Sequence, residues 1–203
     1  MPRIIKPAKG TFSTADITVD SSGRIVAASD GSAGGLGAVI TQLDLTGPAS
    51  GTYTAQPGTS SAFALMGSGG GGGGEAMPAN VGGNAGDGAF GLYKITITQP
   101  YSQPYSVGAA GQGGDYDGVP KNAGGDTTIA NVGTVTGGNA GGGAGPQNPG
   151  NDGNPGSAPG TTNTVTLSTY QGKTLPTGGN RGNTPRGGGN DGGAGFLMVF
   201  EDS

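Results

Sequence analysis

The 203-residue chain contains no cysteine, no histidine and no tryptophan. Without cysteine, disulfides and Cys-ligated metal sites are excluded. Without histidine, His-based catalytic triads and His metal sites are excluded as well. Charge is scarce too, since charged residues make up 11% of the chain and the net charge is -4. This acidic composition argues against nucleic acid as a partner, because contacts to phosphate need clustered Lys and Arg.

Long apolar runs are also missing. No run approaches the roughly 18–20 residues that a membrane-spanning helix needs, so we expect no membrane insertion. The N-terminal sequence MPRIIKPAKG lacks the apolar core of a signal peptide. We therefore expect synthesis in a host cytoplasm without a signal peptide.

No motif of the sequence points to catalysis or to a metal. Ser and Thr are plentiful, but no side chain stands out as a base that would activate them. The six glycines at 69–74 are not followed by the Gly-Lys-Ser/Thr of a phosphate-binding loop. Aspartates lie near many glycines, but the calcium-binding nonapeptide repeat does not occur in two successive copies. We predict no enzyme activity, no cofactor and no metal site; an acidic pair for glycoside cleavage is the enzymatic alternative.

Glycine is the most abundant feature, with 49 residues beside 14 prolines. Only 31% of the residues are hydrophobic, so a side-chain core can occupy only part of the chain. Such a composition is typical of collagen, of low-complexity sequence or of disorder. Disordered chains usually combine low hydrophobicity with high net charge, which this chain lacks.

Alternating β-branched and apolar stretches predict an all-β frame among these glycines. Residues 16–19 and 24–27 flank a turn with Gly23, which predicts an N-terminal β-hairpin. Residues 196–200 are apolar on both faces, so we expect a central strand there. Further strands are predicted at 39–45, 51–54, 62–66, 89–98, 105–107, 127–129 and 164–167. Essentially no α-helix is expected, because dense Gly and Asn oppose it.

In several tracts the glycines recur at every third position. The triplets are Gly108/Gly111/Gly114, Gly150/Gly153/Gly156 and Gly189/Gly192/Gly195, and the pairs are Gly83/Gly86 and Gly179/Gly182. A period of three matches the three residues per turn of the polyproline II conformation. A glycine edge lets a neighbouring backbone approach, so N–H and C=O groups can pair between adjacent helices. A flexible linker is the alternative, and collagen is disfavoured because the period breaks within a few triplets.

These patterns predict a small β-sandwich-like frame plus packed polyglycine II helices. Residues 1–37 form the N-terminal β-hairpin, an attachment or oligomerisation segment with a connector. Residues 38–203 form the glycine-rich β/polyglycine II domain. The frame is needed because glycine loses more entropy on ordering than any other residue, so isolated glycine tracts should not fold.

The order of motifs over residues 51–203 resembles the glycine-rich domain of bacteriophage tail fibres and tail-tip adhesins. In chain order they are 51–54 with 57–58, strand 62–66 running into 69–74, strand 90–98, 104–108, 124–128, and 187–195 running into 196–200. Residues 17–25 also resemble a short motif of phage fibre proteins, in which flanking β elements often trimerise.

The resemblance implies a virion protein of a phage tail or fibre. Its loops between glycine helices would recognise a host surface protein or polysaccharide. Its N-terminal segment would join other phage tail proteins, and a homotrimer is expected. The alternative is a non-adhesive structural or cement protein of the virion.

Candidate receptor-binding residues lie in the predicted loops and are polar, aromatic or basic. They are Asp115, Tyr116, Asp117, Lys121 and Asn122; Tyr170, Gln171 and Lys173; and Arg181 and Arg186. An aromatic ring beside polar groups suits saccharide stacking or protein contact, and the arginines suit acidic sugars. The alternatives are a solvated turn, a loop anchored by Tyr170, and charges that only aid solubility. The Asn/Asp-rich stretch 147–154 is predicted either to cap glycine helices or to meet a ligand.

Overall fold

The computed structural model describes residues 15–19, 25–30, 40–115, 121–160, 169–170, 173–182 and 187–202. The chain divides into two compact units, Met1–Val39 and Ile40–Ser203. In the first unit, β1 (Ala15–Val19) pairs antiparallel with β2 (Ile25–Asp30). This confirms the predicted hairpin. The predicted strand at 164–167 lies outside the described residues.

The second unit is built on two four-stranded antiparallel sheets. Its strands are β3 (Ile40–Thr46), β4 (Ala49–Thr54), β5 (Ser61–Gly67), β6 (Phe90–Thr96), β7 (Ser102–Val107), β8 (Thr127–Ile129), β9 (Gly133–Val135), β10 (Thr169–Tyr170), β11 (Lys173–Thr174) and β12 (Phe196–Asp202). The first sheet has the order β3-β12-β5-β6 and the second the order β4-β7-β8-β9, while β10 and β11 form a separate pair. The described residues contain no α-helix, as predicted, and hence no helix that could span a membrane.

The two sheets pack face to face around one apolar core. Tyr53 and Ile129 of the second sheet meet Tyr93, Ile95 and Leu197 of the first, and all five are at most 2% exposed. The alternation along β6 positions this core, because successive side chains of a strand point to opposite faces. The predicted small β-sandwich is therefore confirmed.

Strand β12 is central, as its apolar sequence predicts. It pairs antiparallel with β3 on one side and with β5 on the other. Leu197 and Val199 face the sandwich core, whereas Phe196 and Met198 pack with Leu65 on the opposite face. Both faces of this strand are thus covered by apolar neighbours, which is why its sequence does not alternate.

Eight extended segments continue the sandwich at one end and form a bundle. In chain order they are segments I (68–75), II (82–88), III (108–114), IV (121–126), V (136–144), VI (150–157), VII (176–182) and VIII (187–195). Segment I follows β5 directly, III follows β7, and VIII runs into β12. The backbone hydrogen bonds of the residues described in these segments are lateral, since they join a residue of one segment to a different part of the chain and not to its own segment.

Segment I lies at the centre of the bundle and has six neighbours. The N–H groups of Gly69, Gly70 and Gly71 donate to segments IV, VIII and II, and Gly72 begins the same cycle again. The carbonyl groups of the same three glycines accept from segments V, III and VII. This threefold alternation is the one expected of packed polyglycine II helices, which have three residues per turn. The predicted glycine helices are therefore present.

The six neighbours close into a ring around segment I. Each adjacent pair is joined by backbone hydrogen bonds, for example Asn122 to Gln112 (IV–III), Gly124 to Gly138 (IV–V), Gly83 to Gly142 (II–V), Ala85 to Gly179 (II–VII), Asn190 to Asn180 (VIII–VII) and Gly192 to Gly111 (VIII–III). Segment VI lies outside the ring, between II and V. This arrangement explains the composition. Segment I touches neighbours on every side and is all glycine at 69–74, whereas ring segments carry glycine where they face segment I, as Gly189 does, or an adjacent segment, as Gly113 does.

Two buried hydroxyls join the bundle to the sandwich. Thr127 Oγ1 donates to the carbonyl of Gly67 at 2.7 Å and accepts from the N–H of Gly108 at 3.0 Å. Ser68 Oγ donates to the carbonyl of Thr136 at 2.7 Å and accepts from the N–H of Ala89 at 2.8 Å. These side chains satisfy backbone groups where the strand ladders end and the lateral glycine bonds begin.

Candidate functional site

The eight bundle segments run alternately away from the sandwich and back. Segments I, III, V and VII run outward, and II, IV, VI and VIII return. The outer ends of the eight segments therefore lie together at the end of the bundle remote from the sandwich, which we call the tip. The chain joins these ends through residues 76–81, 115–120, 145–149 and 183–186. Residues 116–120 and 183–186 lie outside the described part of the chain.

Hydrogen bonds tie the described tip connections to each other and to the bundle. The N–H of Ala76 donates to the carbonyl of Gly187 at 2.9 Å. Asn80 closes a turn with Met77, and its Nδ2 donates to the carbonyl of Gly145 at 2.9 Å. The Asn80 bond joins the two described connections to each other, and the Ala76 bond ties the first of them to segment VIII.

An ion pair crosses the rim of the tip. Lys121 Nζ lies 3.0 Å from Glu75 Oε2 and 3.3 Å from Oε1. The side chains are 29% and 26% exposed, respectively. A pair this accessible is screened by solvent and contributes little stability, about 0–1 kcal/mol. The ion pair instead orients the chain, because it holds the start of segment IV against the end of segment I.

The exposed residues of the two described connections are prolines, a small side chain and two amides. Pro78 and Ala79 are exposed in one connection, and residues 146–149 (Pro-Gln-Asn-Pro) are exposed in another. Proline fixes φ near -65°, so these loops lose little conformational freedom when they are covered by a partner. The tip can therefore present backbone and amide groups in a preset shape.

The structure brings part of the predicted receptor-binding set to this end. Asp115 is exposed at the end of segment III, and Lys121 begins segment IV. The side chain of Asn122 is exposed, while its carbonyl accepts from Gly72 at 2.9 Å. Arg181 is exposed near the end of segment VII. Tyr116, Asp117 and Arg186 lie outside the described residues.

The other part of the predicted set lies at the sandwich. Tyr170 belongs to β10, which pairs with β11, where Lys173 resides. Lys173 Nζ lies 2.6 Å from Asp44 Oδ1 of β3. Lys173 is thus separated from the tip by the length of the bundle, roughly 20 Å at about 3.1 Å per residue. Gln171 lies outside the described residues.

Aspartate and asparagine side chains cap N–H groups on the outside of the bundle. Carboxylates accept from backbone N–H groups at 2.7–2.8 Å in four places: Asp87 from Gly178, Asp126 from Gly137, Asp152 from Asn84, and Asp191 from Gly113. Asn84 Oδ1 accepts from the N–H of Arg181 at 3.2 Å. Asp152 has the capping role predicted for 147–154. Among the described residues, no group of three or more acidic side chains could hold a metal ion.

Sequence reasoning did not identify the buried carboxylate of Glu201. Glu201 is 1% exposed and accepts from Tyr53 Oη at 2.7 Å, from Thr59 Oγ1 at 3.0 Å and from the N–H of Gln56 at 3.2 Å. The pKa of Tyr53 is raised well above its usual range, first by burial and then by the hydrogen bond from its hydroxyl to Glu201 and by the negative charge of Glu201. With three donors, the carboxylate serves to tie the β4–β5 turn to β12. The acidic pair Glu201-Asp202 directly after the apolar run 196–200 was the available signal.

Comparison with known proteins leaves the function to be inferred from the molecule itself. No protein-family model matches the chain, and no curated protein is similar to it. The proposed function therefore depends on the order of the glycine motifs and on the geometry of the tip.

Proposed function

We propose that the protein is a bacteriophage tail protein, a fibre-tip adhesin that recognises a host-cell surface receptor through the tip of its glycine bundle. The observation that supports this function best is that the outer ends of all eight segments, with the described connections 76–81 and 145–149, lie at the end remote from the sandwich. The receptor is a surface protein or polysaccharide. The proposal assigns the protein to the virion and gives it no enzymatic role.

The bundle is suited to present variable loops on an invariant support. A Cβ atom added at any glycine from 69 to 74 would lie within 3.0 Å of backbone atoms of segment III, V or VII. Side chains are therefore excluded from the centre, and changes in sequence are confined to the outside and to the connections. Recognition residues are commonly carried on loops that a rigid scaffold positions.

The N-terminal hairpin provides the attachment to the virion in this proposal. Residues 1–37 join other phage tail proteins, and three copies assemble as a homotrimer. The hairpin is two-stranded, and such a hairpin is marginally stable alone in water. Pairing with a further chain would supply the missing neighbours.

A non-adhesive cement protein is the second candidate. Phe63, Phe90, Leu92 and Phe200 are only partly buried on the outer face of the first sheet, around Leu65. Contiguous apolar patches of this kind often mark protein–protein interfaces. A virion neighbour packed on this face would give the protein a structural role.

Binding of the fluorescently labelled full chain to a panel of bacteria, measured by flow cytometry, separates the two candidates. The double variant Ala79→Arg/Gln147→Arg places bulk on two exposed tip connections, and Ser106→Arg places it on the exposed face of β7 as a control. The adhesin hypothesis expects saturable labelling that a surface extract competes away, at least tenfold weaker in the tip variant and unchanged in the control. Absence of labelling by a protein that stays bound to purified virions would favour the cement role instead.

A further inference from the structure

A cleft opens at the edge of the sandwich, on the part of the unit remote from the tip. It lies between β6 of the first sheet and the start of β7 with the β8–β9 turn of the second. Its volume is about 310 Å³, at the lower end of the roughly 300–1,000 Å³ typical of clefts that hold small ligands. Thr96, Tyr101, Gln103 and Asn131 supply its polar groups, with Lys94 beside them.

The amide groups of this cleft are fixed by the fold. Asn131 has a φ of 59°, a left-handed conformation that asparagine tolerates better than most non-glycine residues. The turn around it is closed by a hydrogen bond from the N–H of Val132 to the carbonyl of Ile129 at 3.1 Å. Asn131 Nδ2 donates to Gln103 Oε1 at 3.1 Å. Among the described residues this is the only side-chain hydrogen bond of either amide, so further donors and acceptors face the cleft.

Tyr101 is held in place from two sides. Its carbonyl accepts from the N–H of Ala55 at 3.1 Å. Its ring packs edge-on against Tyr53, with centroids 6.0 Å apart and the ring planes at 63°. Its hydroxyl is protonated at neutral pH, as in any tyrosine, and burial raises its pKa further. The partly buried Val132 adds apolar surface beside these polar groups.

This combination has the chemistry that recognises a sugar ring. Planar amides donate and accept hydrogen bonds at once, as vicinal hydroxyl groups require. An amphipathic tyrosine beside the aliphatic side chain of Val132 suits the C–H face of a pyranose. We propose that the cleft binds one pyranose residue of a surface glycan, as a second site independent of the tip.

Titration of the ¹⁵N-labelled full chain with methyl glycosides of glucose, galactose, N-acetylglucosamine and glucuronic acid tests the proposal. At least one glycoside is expected to shift the side-chain amide signals of Gln103 and Asn131. Asn131→Gly keeps the left-handed backbone, and Gln103→Ala removes the second amide. Each should weaken binding by about tenfold, the effect of losing one well-formed hydrogen bond.

Gln112→Ala removes an exposed amide from segment III and should leave glycoside binding unchanged. The proposal is overturned if no glycoside shifts the cleft signals, or if both cleft variants bind as tightly as the unmodified chain. Its failure is distinguishable from failure of the adhesin function, because the double tip variant should retain full glycoside binding and lose only cell labelling.

Discussion

Replacing Gly72 by alanine would add one methyl group at the centre of the glycine bundle. The new Cβ would lie within 3.0 Å of the carbonyl of Gln112 and the nitrogen of Gly113. Real Cβ atoms essentially never lie so close to another heavy atom, and these neighbours are backbone atoms that cannot rotate away. Segment III must therefore move outward from segment I.

The cost can be worked out from what this movement breaks. Segments I and III are joined by hydrogen bonds from Gly111 to Gly70 and from Gly114 to Gly73, at 2.8 and 3.0 Å. Two such bonds contribute about 1–3 kcal/mol together, and overpacking costs about 1–3 kcal/mol more. The reduced entropy of the unfolded alanine chain offsets about 0.4–1 kcal/mol. We expect the free energy of unfolding to fall by about 2–5 kcal/mol, out of a total of about 5–15 kcal/mol.

Thermal unfolding followed by circular dichroism measures this loss as a decrease in Tm of roughly 5–20 °C. Gly145→Ala is the matched control, because its Cβ would meet only the carbonyl oxygen of Asn148 at 3.8 Å, an ordinary contact. It should leave the Tm unchanged or slightly raised. The packing of backbone against backbone would be refuted if Gly72→Ala had the same Tm as the unmodified chain, or if Gly72→Ala and Gly145→Ala lowered the Tm equally.

Three further predictions concern side chains outside the centre. The raised pKa of Tyr53 keeps its phenol protonated in the fold while the unfolded chain ionises near pH 10. The contribution of Tyr53 to the free energy of unfolding is therefore fully present below about pH 10 and falls above it by about 1.4 kcal/mol per pH unit. In urea unfolding above pH 10, the free energy of unfolding of Tyr53→Phe should decrease less steeply with pH by that amount. An equally steep decrease in the two proteins would contradict the assignment. Thr127→Val should lower the free energy of unfolding by about 2–4 kcal/mol in the same assay, because it leaves the N–H of Gly108 and a strand carbonyl without their buried partner; Thr127→Ser, which keeps the hydroxyl, should recover most of the loss. Asp87→Ala should speed hydrogen exchange of the Gly178 amide by about tenfold, as expected for a lost bond of about 1.4 kcal/mol, and equal exchange in the two proteins would show that the cap contributes nothing.

Local patterns in the sequence predicted most of the described strands and the glycine helices. The apolar run 196–200 became the central strand β12, and alternation along β6 placed Tyr93 and Ile95 in the core. The period of three predicted that glycine segments would bond to each other. These features depend on the nearest neighbours along the chain, and a single sequence records them directly.

The partners of each glycine segment were decided only by the tertiary structure. The runs 69–74 and 187–189 both consist of glycine alone, yet the first has six neighbouring segments and the second lies in the ring. Glycine has no side chain with which to mark its partner, and some of the hydrogen bonds, such as that from Gly70 to Gly193, join residues more than a hundred positions apart. The same long-range pairing sent Lys121 to the tip and Lys173 to the sandwich, although both lie in loop-like sequence. Composition and period thus determined that backbone would pack against backbone, while the closed ring, its tip and the cleft arose only when distant segments met.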